Sequence, residues 1–163
     1  MVIVTIDVEN FGNQILKKIS ELEDRLNTKL TLYEKVLLSQ TGTLEQVLSI
    51  LINSEVELKI LKQIETTLLI KRVACIINKK TKKILVRAVS NIFPANLPKR
   101  VIWQIKQRNH GIGAIITNSE LETFRKILRI GHNSNTRSTF RIYQIIYQEK
   151  ISFEIKENFR FVE

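Results

Sequence analysis

Four arginines stand where the neighbouring residues alternate or run apolar: Arg72, Arg87, Arg125 and Arg141. Arg72 is the sharpest case, set between Leu68–Ile70 and Val73–Ile77. A guanidinium in such a strand is costly to bury unless it meets an anion. Three outcomes satisfy it: a partner carboxylate inside the protein, a head group reaching past the sheet edge, or a bound anion. The residues alone leave all three open. Acids such as Glu157 stand beside them as further candidates.

Other chemistries find little support. The single cysteine, Cys75, lies in the apolar segment Ile70–Ile77 and excludes both a disulfide framework and a zinc site built on thiolates. It reads as a small buried hydrophobe, and the two histidines, His110 and His132, lie far along the chain beside glycines. Gly111-Ile112-Gly113 lacks the third glycine of a dinucleotide loop and by itself reads as a turn at a helix end. No metal-ligand cluster or Ser/His/Asp signature is present, and no metal or organic cofactor is expected. The net charge of +10 suits nucleic acid or a small anionic molecule. Its excess is scattered, the one dense run, 78–83, reads as a solvated turn, and the Ile-, Lys- and Asn-rich composition is that of an A+T-rich genome. Phe140, Tyr143 and Tyr147 read as sheet residues rather than as a stacking surface, so nucleic acid is the weaker reading.

The elements that must position these residues follow from periodicity. Ile15, Leu16, Ile19, Leu22 and Leu26 form one stripe of a helix over Asn13–Leu26. Thr31-Leu32-Tyr33-Glu34 has the form of a capping box, and Thr43-Leu44-Glu45-Gln46 repeats the signal, so two short helices meet at Gln40–Gly42. Glu55–Glu65 alternates, Leu68–Ile77 reads as a central strand, and Lys83–Phe93 completes a hairpin. Pro98 opens a helix to about Gln107. Ser119–Ile130 fits a helix or a strand, and Gly131–Arg137 reads as a loop. Thr139–Gln148 and Ile151–Phe161 alternate around a turn at Glu149-Lys150. The expectation is one α+β domain over 1–163, helical over about 11–53 and sheet-forming over about 55–161. No apolar run is long enough to span a membrane. Met1–Asn10 has the features of neither a secretory signal nor a transit peptide, so the chain is expected to work where it is made.

Several segments in order resemble the chorismate lyase-like family. They are Leu30–Leu38 with Gly42-Thr43-Leu44, Lys71-Arg72-Val73, Val86-Arg87-Ala88 before Phe93-Pro94 and Leu97-Pro98, His110–Gly113, Phe124–Ile127, and Lys150 through Glu157. The resemblance covers roughly Leu30–Phe159 and looks nearest to the cyanobacterial and plastid-encoded branch, known as a hypothetical chloroplast reading frame. It implies a six-stranded antiparallel sheet flanked by helices, an enclosed ligand cavity, and a strand rather than a helix at Leu121–Ile130. The implied activity is conversion of chorismate, a small anionic substrate, to 4-hydroxybenzoate and pyruvate. Plastoquinone head-group synthesis in the plastid stroma would follow, or a cytoplasmic site otherwise. The resemblance places Arg72 on the ring carboxylate and Glu157 at the hydroxyl end, with the backbone at Ile112 and Gly113 contributing; Arg87 or Arg125 would meet the second carboxylate. Two departures stand out: Glu149 and Ile151 replace the family's glycine and proline in the last hairpin, and Thr41 stands where an aspartate is common. The same fold also serves non-catalytic effector-binding domains, which normally follow a winged helix-turn-helix; only residues 1–29 precede the resemblance, too few for one.

Overall fold

A computed structural model describes residues 2–8 and 13–160. Its architecture is α+β: a seven-stranded, wholly antiparallel sheet with five α-helices. The strands are β1 (Ile3–Asp7), β2 (Val56–Glu65), β3 (Ile70–Asn78), β4 (Ile84–Ile92), β5 (Thr123–Asn133), β6 (Ser138–Tyr147) and β7 (Lys150–Phe159). They lie in the order β1-β5-β6-β7-β4-β3-β2. Two three-stranded meanders, β2-β3-β4 and β5-β6-β7, therefore join along β4 and β7 at the centre.

Three expectations need correction here. Six strands were anticipated; the seventh is β1, whose short alternating run Ile3–Asp7 pairs along β5 from Ile3↔Asn133 to Asp7↔Arg129. The strand β3 is flanked on both sides but lies next to the edge strand β2, so the centre belongs to β7. Residues 131–133 are strand rather than loop. A bulge between Ile127 and Arg129 carries β5 onward to Asn133, and Gly131 is needed there because a Cβ would stand 2.5 Å from the Phe140 ring. The strand expected at Leu121–Ile130 is present with its ends shifted. Residues 11, 12 and 161 of the anticipated spans lie outside the described residues.

The helices are α1 (Asn13–Leu26), α2 (Leu32–Ser39), α3 (Leu44–Leu51), α4 (Lys99–Gln107) and α5 (Ile112–Asn118). The α1 stripe buries Ile19 and Leu22, while Leu16, counted with it from spacing, is 62 % exposed. Thr31 closes a full capping box with Glu34 at the start of α2, a device that contributes about 1 kcal/mol. Thr43 caps α3 without a side-chain hydrogen bond, so the second box is not formed. Pro98 stands one residue before α4, where its missing N–H costs nothing. The helix α5 was not anticipated; Gly111 is its N-cap, and it buries Ile115 and Ile116. One hydrophobic cluster joins Leu22, Leu37, Leu48, Val101, Ile105 and Ile115 of the helices to sheet residues such as Ile70, Val86, Ile92, Ile127, Phe153 and Phe159. None of the described helices is long and apolar enough to cross a membrane.

Candidate functional site

The helix-covered face of the sheet carries two cross-strand rows. One runs Arg72↔Ser90↔Ile155↔Tyr143 and the next Ala74↔Ala88↔Glu157↔Arg141. Side chains directly opposite in an antiparallel ladder share a face. The small residues Ala74, Ala88 and Ser90 therefore make a low floor between the long side chains on either side. A pocket of about 60 Å³ opens above that floor, room for about four to six waters. Leu44 and Glu45 of α3, Leu58 of β2, and Gly111, Ile112 and Gly113 at the start of α5 close over it. Arg72, Arg125, Tyr143 and Glu157 also line it.

Arg72 is 2 % exposed. Its Nε donates to Gln63 Oε1 at 2.8 Å, Nη2 to the Ile105 carbonyl at 2.7 Å and Nη1 to the His110 carbonyl at 3.0 Å. Gln63 in turn donates to Glu65 Oε1 at 2.7 Å and to the Ile105 carbonyl. No carboxylate pairs directly with Arg72 among the described residues; neutral acceptors hold the guanidinium in place. Burial, with Arg108 nearby, pushes it down to about 10, which leaves it cationic at neutral pH.

Glu157, 4 % exposed, sits on a different support. Arg141 Nε donates to its Oε2 at 2.8 Å, and Tyr143 Oη donates to its Oε1 at 2.8 Å. Arg141 also donates from Nη1 to the Gln40 carbonyl, and its guanidinium lies 4.8 Å from the Tyr143 ring centre. Burial first, then the Glu157 charge, pushes the Tyr143 hydroxyl above its ordinary range, so it remains a donor. The sheet geometry puts the Cα atoms of Arg72 and Glu157 about 12 Å apart, two strands across and two residues along. They make no direct salt bridge.

Arg125 is half-buried and donates from Nη1 to the Gly42 carbonyl at 2.6 Å. It faces both the interior pocket and an outer depression lined by Thr41, Thr43, Thr117 and Thr123. Glu45 has its carboxylate packed on the Gly111 backbone: a Cβ there would stand 2.7 Å from Glu45 Oε1. Burial is the main influence raising Glu45 above the usual carboxylate range; a hydrogen bond from its own backbone N–H opposes the rise, the Glu157 charge adds to it and Arg125 works against it.

Of the residues expected at the site, Arg72, Ile112, Gly113, Arg125 and Glu157 meet in one pocket. Arg87 does not. It precedes Ala88, so the strand alternation turns it to the opposite face, where it is exposed. Sequence reasoning missed Glu45, Gln63 and Tyr143, and it singled out Arg141 by type without giving it a place at the site. Parity along β6 was the available signal for two of them, since Arg141 and Tyr143 share a face with the buried Ile145. No protein-family model matches the sequence, and no curated protein matches it.

Proposed function

We propose that the pocket is a ligand cavity for a small aromatic or pre-aromatic carboxylic acid, and that the chain is a chorismate lyase of the C–O cleaving kind. The observation that carries the reading is Arg72: a buried guanidinium, held by neutral acceptors, on the wall of an interior pocket. A guanidinium has five N–H donors, and three hydrogen bonds hold this one. The remaining donors suit a ring carboxylate without dismantling the support.

Chorismate is a dianion bearing an enol-ether side chain and a ring hydroxyl. Arg72 would hold the ring carboxylate and Arg125, at the pocket edge, the enolpyruvyl carboxylate. Glu157, oriented by Arg141 and Tyr143, would attend the hydroxyl end. Loss of pyruvate aromatises the ring, which supplies the driving force. The protein's contribution is then chiefly to hold the breaking C–O bond in a reactive geometry. The product, 4-hydroxybenzoate, would suit a prenylated quinone head group, plastoquinone if the chain works in a plastid.

Incubating the purified protein with chorismate tests the reading. 4-Hydroxybenzoate and pyruvate should appear in equal amounts. Chorismate decay no faster than in buffer would overturn the lyase assignment, and tight 4-hydroxybenzoate binding without turnover would convert it to a binding domain of the same site.

A further inference from the structure

The pocket contains two carboxyl groups in unlike surroundings. Glu157, from β7, is ion-paired with Arg141 at 2.8 Å and accepts from Tyr143. Glu45, from α3, has no ion-pair partner among the described residues; its carboxylate lies against the Gly111 backbone on the opposite wall. The other charged or titratable groups facing it are Arg72 from β3, Cys75 beside it, Arg125 from β5 and Tyr143 from β6. Arg125 is the nearest counter-charge, but its Nη1 is engaged by the Gly42 carbonyl.

Charge bookkeeping then separates the two states of Glu45. The guanidinium groups of Arg72, Arg125 and Arg141 carry three positive charges, and Glu157 cancels one. With Glu45 neutral the site presents two positive charges, the complement of a dicarboxylate. With Glu45 ionised it presents one, and an entering anion meets an unpaired carboxylate in a low-dielectric pocket.

We infer that Glu45 is the proton-carrying residue of this pocket: an anionic ligand binds the form in which Glu45 is a neutral carboxylic acid and donates a hydrogen bond, and binding to the ionised form is accompanied by uptake of one proton. The inference rests on the proposed ligand site and adds its regulation by pH. The proton comes from solvent, and no covalent bond changes in the binding step. Affinity is full below the titration of Glu45 and falls by about tenfold per pH unit above it.

The test is calorimetric titration of 4-hydroxybenzoate into the wild-type protein and Glu45→Gln, in two buffers of different ionisation enthalpy. The wild type should take up close to one proton per ligand on the alkaline side of the Glu45 titration. Glu45→Gln, a permanent neutral donor, should take up none and bind with one affinity on both sides of the wild-type Glu45 titration. Equal proton uptake in both proteins, or binding to the wild type without uptake at any pH, would overturn the inference. If 4-hydroxybenzoate fails to bind at all, the proposed ligand site falls, and the infrared difference spectrum of wild type against Glu45→Gln still decides Glu45. A protonated-carboxyl band that is lost as pH rises, present in the wild type and missing from Glu45→Gln, supports the proton-carrying role, and identical spectra at every pH overturn it.

Discussion

Arg141 and Glu157 face each other in direct register on β6 and β7, with Nε and Nη2 of the arginine both 2.8 Å from one carboxylate oxygen. The two side chains are 1 % and 6 % exposed, so both charges were removed from water to make the contact. Such a pair contributes little net stability against apolar residues of equal volume, yet breaking it from one side is costly. Its value here is positional: it fixes the carboxylate beside the small floor residues Ala74 and Ala88.

A double-mutant cycle follows from that pair. Arg141→Met alone should lower unfolding stability by about 3–5 kcal/mol, because Glu157 is left buried and unpaired. The combination with Glu157→Leu should recover most of the loss while abolishing turnover. Denaturant titration of the four proteins checks the first part, and the chorismate assay the second. Glu157→Gln should slow turnover more than it weakens product binding.

Arg72 separates binding from folding. Arg72→Ala should cut turnover by more than a hundredfold, and it also leaves the Ile105 and His110 carbonyls without their donor, at a cost of about 1–3 kcal/mol. Arg72→Lys keeps the charge but not the planar fork, so it should retain the fold and still lose most turnover. Circular dichroism alongside the assay distinguishes the two effects.

Glu23, on α1, should contribute to acid stability. It is 3 % exposed, accepts from the Leu30 N–H at 2.9 Å and pairs with Lys35 at 2.8 Å and Lys29 at 3.2 Å. The Lys35 contact is the largest influence holding its carboxyl down to about 2, from an ordinary 4.5. Its folded value lies below its unfolded one, so its contribution is complete above about 4.5 and is lost as pH falls through about 2. Glu23→Gln should destabilise at neutral pH and flatten the stability profile across that window, read by thermal unfolding at stepped pH.

The β6–β7 turn is strained by residue type. Gln148 and Glu149 both hold left-handed backbone, at φ 48° and 62°, in the two-residue geometry that favours Asn-Gly. Replacing the pair with Asn-Gly should stabilise the protein by about 1 kcal/mol, raising Tm by about 2–4 °C. The Glu157 register should be unchanged, as calorimetry with the activity assay would report.

Much of this was legible beforehand, and the failures have physical causes. The α1 and α4 patterns are strongly periodic and the Thr31–Glu34 capping box marks the start of α2, and each formed a helix where the sequence placed it. Arg72 advertised itself because its strand neighbours are apolar on both sides. Arg87 looked alike in type, but only the register of Ala88 against Ala74 and Glu157 shows which face it takes. The helix α5 was hidden because glycines at 111 and 113 read as a break, whereas Gly111 serves as a cap and admits the Glu45 carboxylate. Glu45 itself sits in the first turn of α3, where an acid is ordinary; only tertiary packing turns it into the pocket.

The structure of the protein bound to 4-hydroxybenzoate tests the Arg72–Glu157 axis most directly. The ring carboxylate should lie within hydrogen-bond distance of the Arg72 guanidinium, with the hydroxyl directed to Glu157 and Tyr143 and the ring over Ala74, Ala88 and Ser90. Density for the ligand in the reverse orientation, or confined to the outer depression at Thr41 and Phe124, would contradict the account.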